Sequence, residues 1–151
     1  MINRLTDVFK SFQKYNVKYL VIGGIAAVLY GVPRATFDLD IIIEASKENA
    51  RCLLEALLDA GLGTASLTTI EEILSNEITI FKDRVRIDVQ IKTPGLIFES
   101  AWKRKQTMNY RGQEFYVVCL EDLVASKKAA GKTIDLEDIR LLELPDNKNK
   151  V

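Results

Sequence analysis

Asp38 and Asp40 are separated by one residue in residues 37–43, a run rich in β-favouring apolar side chains that reads as a strand. Side chains alternate across a strand, so the two acids face one side together while Leu39, Ile41 and Ile43 face the other. Two adjacent carboxylates repel each other and lose hydration if buried. Stability alone does not select that pairing, whereas a hard, oxygen-seeking divalent cation between them resolves the conflict. A third acid stands in a second alternating run, residues 85–91, where Arg86, Asp88 and Gln90 share the face opposite Val85, Ile87, Val89 and Ile91. If the two strands are neighbours, three carboxylates converge, enough for a two-metal site of the phosphoryl-transfer kind. A lone Asp-x-Asp reads more readily as two exposed strand acids; Asp88 shifts that balance without deciding it.

Ahead of the acid pair, Val21-Ile22-Gly23-Gly24 runs from a strand into two glycines and then a helix. Glycine lets backbone approach a phosphate closely, and a helix start presents free N–H groups to anions. The pair is neither a Walker loop nor a GxGxxG turn, and alone it reads equally as a tight turn packed on a helix. Extending the strand backward from Asp40 puts Arg34, Thr36, Asp38 and Asp40 on one face. An arginine there can fork onto a phosphate; a surface residue ahead of the strand is as good a reading of Arg34.

Composition narrows the chemistry. The chain has no histidine, which removes histidine acid–base catalysis, Ser-His-Asp triads and the commonest zinc ligand. Its 21 basic and 21 acidic side chains cancel, while a protein gripping long nucleic acid through many phosphates is usually net basic. Cys52 and Cys119 form no CxxC and read as two reduced, buried thiols. With 151 residues, 48% hydrophobic and 28% charged, the chain reads as one packed domain over residues 1–144 and a tail over 145–151. Residues 1–16 carry charges among apolar residues at helical spacing, an amphipathic helix rather than a signal peptide. The longest uncharged stretch, residues 19–33, is too short to span a bilayer. A soluble cytoplasmic protein without membrane partners is expected.

The elements that must position these residues follow from periodicity and punctuation. Strands are expected at 17–22 and 37–43, with a short helix over 25–30 between them. Ser46 caps a helix over 47–60 with Leu53, Leu54, Leu57 and Leu58 as its buried stripe, stopped by Gly61. Thr68 and Glu71 fit a capping box for a helix to Ser75. Hairpins are expected over 77–81 with 85–91, and over 107–110 with 114–118 around Arg111-Gly112. A helix is expected to start at Thr93-Pro94, and two more lie over 120–130 and 136–143. Together they predict a mixed β-sheet flanked by helices, an α/β (α+β) arrangement.

Taken together, Gly23-Gly24, Arg34-x-Thr36-x-Asp38-x-Asp40 and the distal Asp88 resemble the nucleotidyltransferase (polymerase-β-like) superfamily. The last part, from Leu120-Glu121-Asp122-Leu123 through Lys127-Lys128 to Asp135-x-x-Asp138, looks like the small prokaryotic branch that includes AbiEii-like and related toxin–antitoxin nucleotidyltransferases. The resemblance spans about residues 17–140 and implies a minimal nucleotidyltransferase fold. It implies that Asp38 and Asp40 hold two Mg²⁺ (or Mn²⁺) ions bridging a nucleoside triphosphate, and that Asp88 completes one metal site and helps activate the attacking hydroxyl. Gly23 and Gly24 would lie against the triphosphate. Lys127 or Lys128 would be candidates for phosphate contact, with a solvated helix face an equally good reading; Asp135 and Asp138 read better as charging and capping the last helix's first turn. Many members of the superfamily carry Gly-Ser where this chain has Gly23-Gly24, and larger relatives add a helical domain that this chain lacks.

Two functions remain open. One is an enzyme that transfers a nucleoside monophosphate from NTP to a hydroxyl of an RNA, protein or small-molecule acceptor, by positioning and charge neutralisation rather than side-chain acid–base work. The other is a catalytically silent module that binds nucleotide, a protein partner or a second copy of itself.

Overall fold

A computed structural model describes residues 2–144. The tail expected over 145–151 lies outside the described residues. Six strands form one mixed sheet: β1 (Tyr19–Ile22), β2 (Leu39–Ile43), β3 (Ile78–Lys82), β4 (Arg86–Gln90), β5 (Gln106–Tyr110) and β6 (Gln113–Val117), in spatial order β3-β4-β2-β1-β6-β5. Both expected hairpins form, β3 with β4 and β5 with β6. Arg111 and Gly112 close the second with positive φ at both turn residues, as a tight two-residue hairpin loop requires. The central pairings are antiparallel β1–β2 and parallel β2–β4.

Among the described residues seven α-helices accompany the sheet: α1 (Thr6–Lys14), α2 (Gly23–Leu29), α3 (Lys47–Asp59), α4 (Ile70–Ser75), α5 (Phe98–Lys103), α6 (Leu120–Ala130) and α7 (Thr133–Leu142). The apolar stripe of the N-terminal segment is fully used: Ile2, Leu5, Val8, Phe9 and Phe12 are all buried. Phe9 stacks on Phe115 of β6 with centroids 4.5 Å apart, fixing α1 against the sheet. Ser46 caps α3 through the Asn49 N–H, and Leu53 and Leu57 are buried. The stripe is narrower than expected, because Ala50, Leu53, Ala56 and Leu57 centre it and Leu58 falls outside, 45% exposed. Helix α2 packs on β1 and β2, and α6 packs on α2 and α7. Among the described residues no helix is long and apolar enough to cross a membrane.

Other boundaries differ from expectation for local reasons. The segment Thr68-Thr69-Ile70-Glu71-Glu72 offers two overlapping capping registers, and the protein uses the second, with Thr69 Oγ1 accepting from Glu72 N. Thr93-Pro94 opens a turn rather than a helix. Leu96 N donates to the Thr93 carbonyl, and Gly95 adopts φ +77 where a Cβ would lie 2.7 Å from the Ala125 carbonyl. Helix α7 begins three residues earlier than expected, with the Lys132 N–H donating to Asp135 Oδ2. Strand β2 begins at Leu39, not at 37: β1 ends at Ile22, opposite Asp40, where the chain turns into α2, and the first residue of β2 pairs Ile87 of β4. Cys119 is buried as expected, but Cys52 is only half-buried, and both thiols are free.

Candidate active site

The parallel register of β2 and β4 sets Asp40 directly opposite Asp88, so both carboxylates rise from one face of the sheet. Asp38 sits just before β2. It lies on the same side, because its Oδ2 is 3.7 Å from Arg86 Nε, the atom that bonds Asp88 Oδ1 at 2.8 Å. All three acids line one cavity of about 590 Å³, within the range of small-molecule sites. A concavity of similar size, about 610 Å³, lies between α1 and the β5–β6 turn; its acid, Asp7, pairs with Arg84, and it gathers no cluster of carboxylates.

Gly23, Gly24, Arg34, Thr36 and Lys127 line the acid-bearing cavity as well. Lys128 does not: it pairs with Glu143 at 3.3 Å. The two glycines are needed for different neighbours. Gly23 takes φ +67, and a Cβ there would stand 2.5 Å from Asp40 Oδ2. At Gly24 a Cβ would meet Thr36 Oγ1 at 3.0 Å and the Arg34 guanidinium at 3.1 Å. Arg34 and Thr36 do not extend a strand; they lie in the irregular segment after Pro33, where Arg34 N turns back to the Val32 carbonyl. That segment nevertheless folds both side chains over the glycine pair.

Arg34 forks onto Asp138 rather than onto open space, with Nε to Oδ1 at 3.1 Å and Nη2 to Oδ2 at 2.8 Å. Asp138 also accepts from Lys127 Nζ at 2.8 Å. Asp135 caps α7 as expected, but Asp138 does not: it lies one turn further along, 1% exposed, between two cations. Burial alone would push its carboxyl up; hydrogen bonds from Arg34 and Lys127 overcome that and hold it below the ordinary carboxylate range. Lys127 is therefore a buried cation of the cavity wall, 5% exposed, not a solvated helix residue.

The acid cluster is electrostatically crowded. Burial pushes the Asp40 carboxyl up to about 6, the charges of Asp88 and Asp38 add to the shift, and Arg86 and Lys127 oppose it. Such a group accepts either a proton or a cation. The donor set is chemically suited to a hard divalent ion, being all carboxylate oxygen. Among the described residues, however, no three such side chains are gathered closely enough to hold a metal as they stand. Arg86 stands among them, gripping Asp88 through Nε at 2.8 Å and Nη2 at 3.2 Å. Its signal in the sequence was an opposite charge two residues before Asp88 on the same strand face. Asp138 carried no comparable signal, since its partners are 104 and 11 residues away. Lys92 and Lys132, which also line the cavity, gave none either.

Comparison with known proteins gives the family and the fold. A sequence model of the family described as nucleotidyltransferases of unknown function (DUF6036) matches residues 2–147, and the chain belongs to that family. A crystal structure of a candidate nucleotidyltransferase from Thermotoga maritima shares the fold, with a TM-score of 0.57 and 16% sequence identity over 93% of this chain and 90% of that one. No curated protein matches the chain.

Proposed function

We propose that the protein transfers a nucleoside monophosphate from a nucleoside triphosphate to a hydroxyl group of an acceptor, releasing pyrophosphate. The observation that carries this reading is the meeting of Asp38, Asp40 and Asp88 with Gly23, Gly24, Arg34, Thr36 and Lys127 around one cavity. In this reading Asp38, Asp40 and Asp88 hold Mg²⁺ or Mn²⁺. Bound there, the metal neutralises phosphate charge and makes the acceptor hydroxyl easier to deprotonate. Gly23 keeps backbone clear of Asp40, and Arg34 and Lys127 supply positive charge at the far wall. With Asp138 already balancing both of them, they position more than they attract. Lys92 and Lys132 are exposed at the cavity edge and add cations that face the triphosphate's charge.

The Leu120–Asp138 pattern supports a finer placement beside the AbiEii-like and toxin–antitoxin nucleotidyltransferases, acting in the cytoplasm as a single domain. The test is incubation with each labelled NTP and Mg²⁺ or Mn²⁺, alone and with RNA or cell lysate. Label on an acceptor supports transfer; metal-dependent NTP binding with no transfer to any acceptor assigns the chain to nucleotide or partner binding instead.

A further inference from the structure

We propose that Arg86 is a resident cation of the acid cluster, which a divalent metal ion must displace in order to bind. The inference rests on the metal-binding reading of Asp38, Asp40 and Asp88 given above. Three observations carry it. First, the guanidinium holds both oxygens of Asp88, at 2.8 and 3.2 Å, in the two-bond fork that binds carboxylates most strongly. Second, the same Nε lies 3.7 Å from Asp38, so one side chain bridges two of the three acids. Third, the acids do not form a closed metal cage as they stand, although Asp40 and Asp88 are in register on adjacent strands.

The geometry gives the arginine a reason to be there. Three carboxylates on one sheet face repel each other, and the repulsion opposes folding unless a cation intervenes. Arg86 supplies that cation from within the chain, so the domain can fold without metal. Its position on β4 fixes the competition. Being two residues before Asp88, it shares that residue's face, and its register partner Lys82 lies on the edge strand, where it offers no carboxylate. Among the described residues, the acids within ion-pair distance of it are Asp88 and Asp38. A metal bound by Asp88 needs the oxygens that Arg86 now holds, and the two cations repel. The guanidinium is half-buried with a long aliphatic stem, so it can swing outward to solvent without unfolding the strand.

The test measures Mn²⁺ binding by electron paramagnetic resonance, with melting temperature followed with and without Mn²⁺, for wild type, Arg86→Gln and Arg86→Lys. Removing a unit positive charge a few ångströms from the metal should tighten Mn²⁺ binding about ten-fold or more in Arg86→Gln. Metal-free Arg86→Gln should melt lower than wild type and regain more on adding Mn²⁺. Arg86→Lys keeps the charge but loses the fork, and should bind with intermediate affinity. An arginine that merely supports the strand would lower the melting temperature and leave Mn²⁺ affinity equal or weaker; that result, in a folded variant, overturns the inference while leaving the metal site intact. If neither wild type nor Arg86→Gln binds Mn²⁺, the metal-binding reading itself falls, and this inference with it.

Discussion

Arg34 and Asp138, 104 residues apart, are joined by two hydrogen bonds of 3.1 and 2.8 Å, and Lys127 completes the cluster from α6. The contact ties the segment after α2 to the last helix, across the wall of the cavity. Breaking a buried pair by removing one partner leaves an uncompensated charge and costs about 3–5 kcal/mol. Arg34 is partly exposed, but Lys127 is not, so the lower end of that range applies. Asp138→Asn should lose about 3 kcal/mol of stability at pH 7, read from urea unfolding. A loss below roughly 0.5 kcal/mol, the size of an ordinary surface substitution, would show that the cluster does not hold the helix.

The same residue sets an acid limit. Its folded carboxyl lies below the ordinary range, so the unfolded state binds more protons as pH falls. The stabilisation is fully present above the unfolded value near 4 and is lost as pH drops through the folded one. Wild type should therefore lose more stability than Asp138→Asn between pH 5 and pH 2.5, with the two curves parallel above pH 5. Parallel curves across the whole range would mean that Asp138 titrates normally.

The sequence made one half of this site legible and hid the other. Asp40 and Asp88 were readable because strand alternation assigns each a face from its neighbours alone; Asp38 stands one residue ahead of β2, and its contact with Arg86 keeps it on the side that alternation predicts. The glycine pair was readable because a strand must turn sharply to enter α2. Asp138 was not, since an acid in the first turns of a helix has a sufficient local explanation in the helix dipole, and its actual partners come from α6 and from the segment after Pro33. Lys127 stayed open between phosphate contact and a solvated helix face for a similar reason: the acids that pair with its ammonium, Asp135 and Asp138, come from α7. The start of α5 was misplaced because Thr93-Pro94 signals a turn and a helix start equally well, and Gly95 packed on Ala125 decides for the turn.

The two glycines should respond differently to a side chain. At Gly23 a Cβ collides with Asp40 at 2.5 Å and must also adopt φ +67, which costs an L-residue about 1 kcal/mol. Gly23→Ala should lower both the melting temperature and metal affinity. At Gly24 the φ is ordinary, and the atoms met are the ends of the Thr36 and Arg34 side chains. Gly24→Val should fold, displace those two side chains and weaken Mg²⁺-dependent NTP binding. Calorimetry on the folded variant decides: an affinity equal to wild type would detach the Gly24 turn from nucleotide binding.

Asp40 and Asp88 are register partners, yet substitution should separate their roles. Asp40 is flanked by Asp38 two residues away and by Asp88 across the strand pair, so it is central to the negative cluster. Replacing its carboxylate with a neutral amide, Asp40→Asn, should weaken Mn²⁺ binding and with it metal-dependent NTP affinity, because an amide attracts a divalent cation less strongly. Asp88 stands further from the glycine turn, on the side of β3 and the sheet edge, and in the proposed reaction it serves the acceptor hydroxyl. Asp88→Asn should then leave NTP affinity within a few-fold of wild type and reduce label transfer, the pattern of an interaction made mainly in the transition state. Removing one comparable electrostatic contribution typically costs about 100–1000-fold in rate. Asp88→Asn also frees Arg86 from its fork, so the comparison includes the double variant Asp88→Asn with Arg86→Gln. If the double variant recovers transfer, the single variant failed because an unpaired guanidinium sat in the cluster. If it remains as slow as Asp88→Asn, the carboxylate itself is required, and wild-type turnover in either variant would remove Asp88 from the reaction.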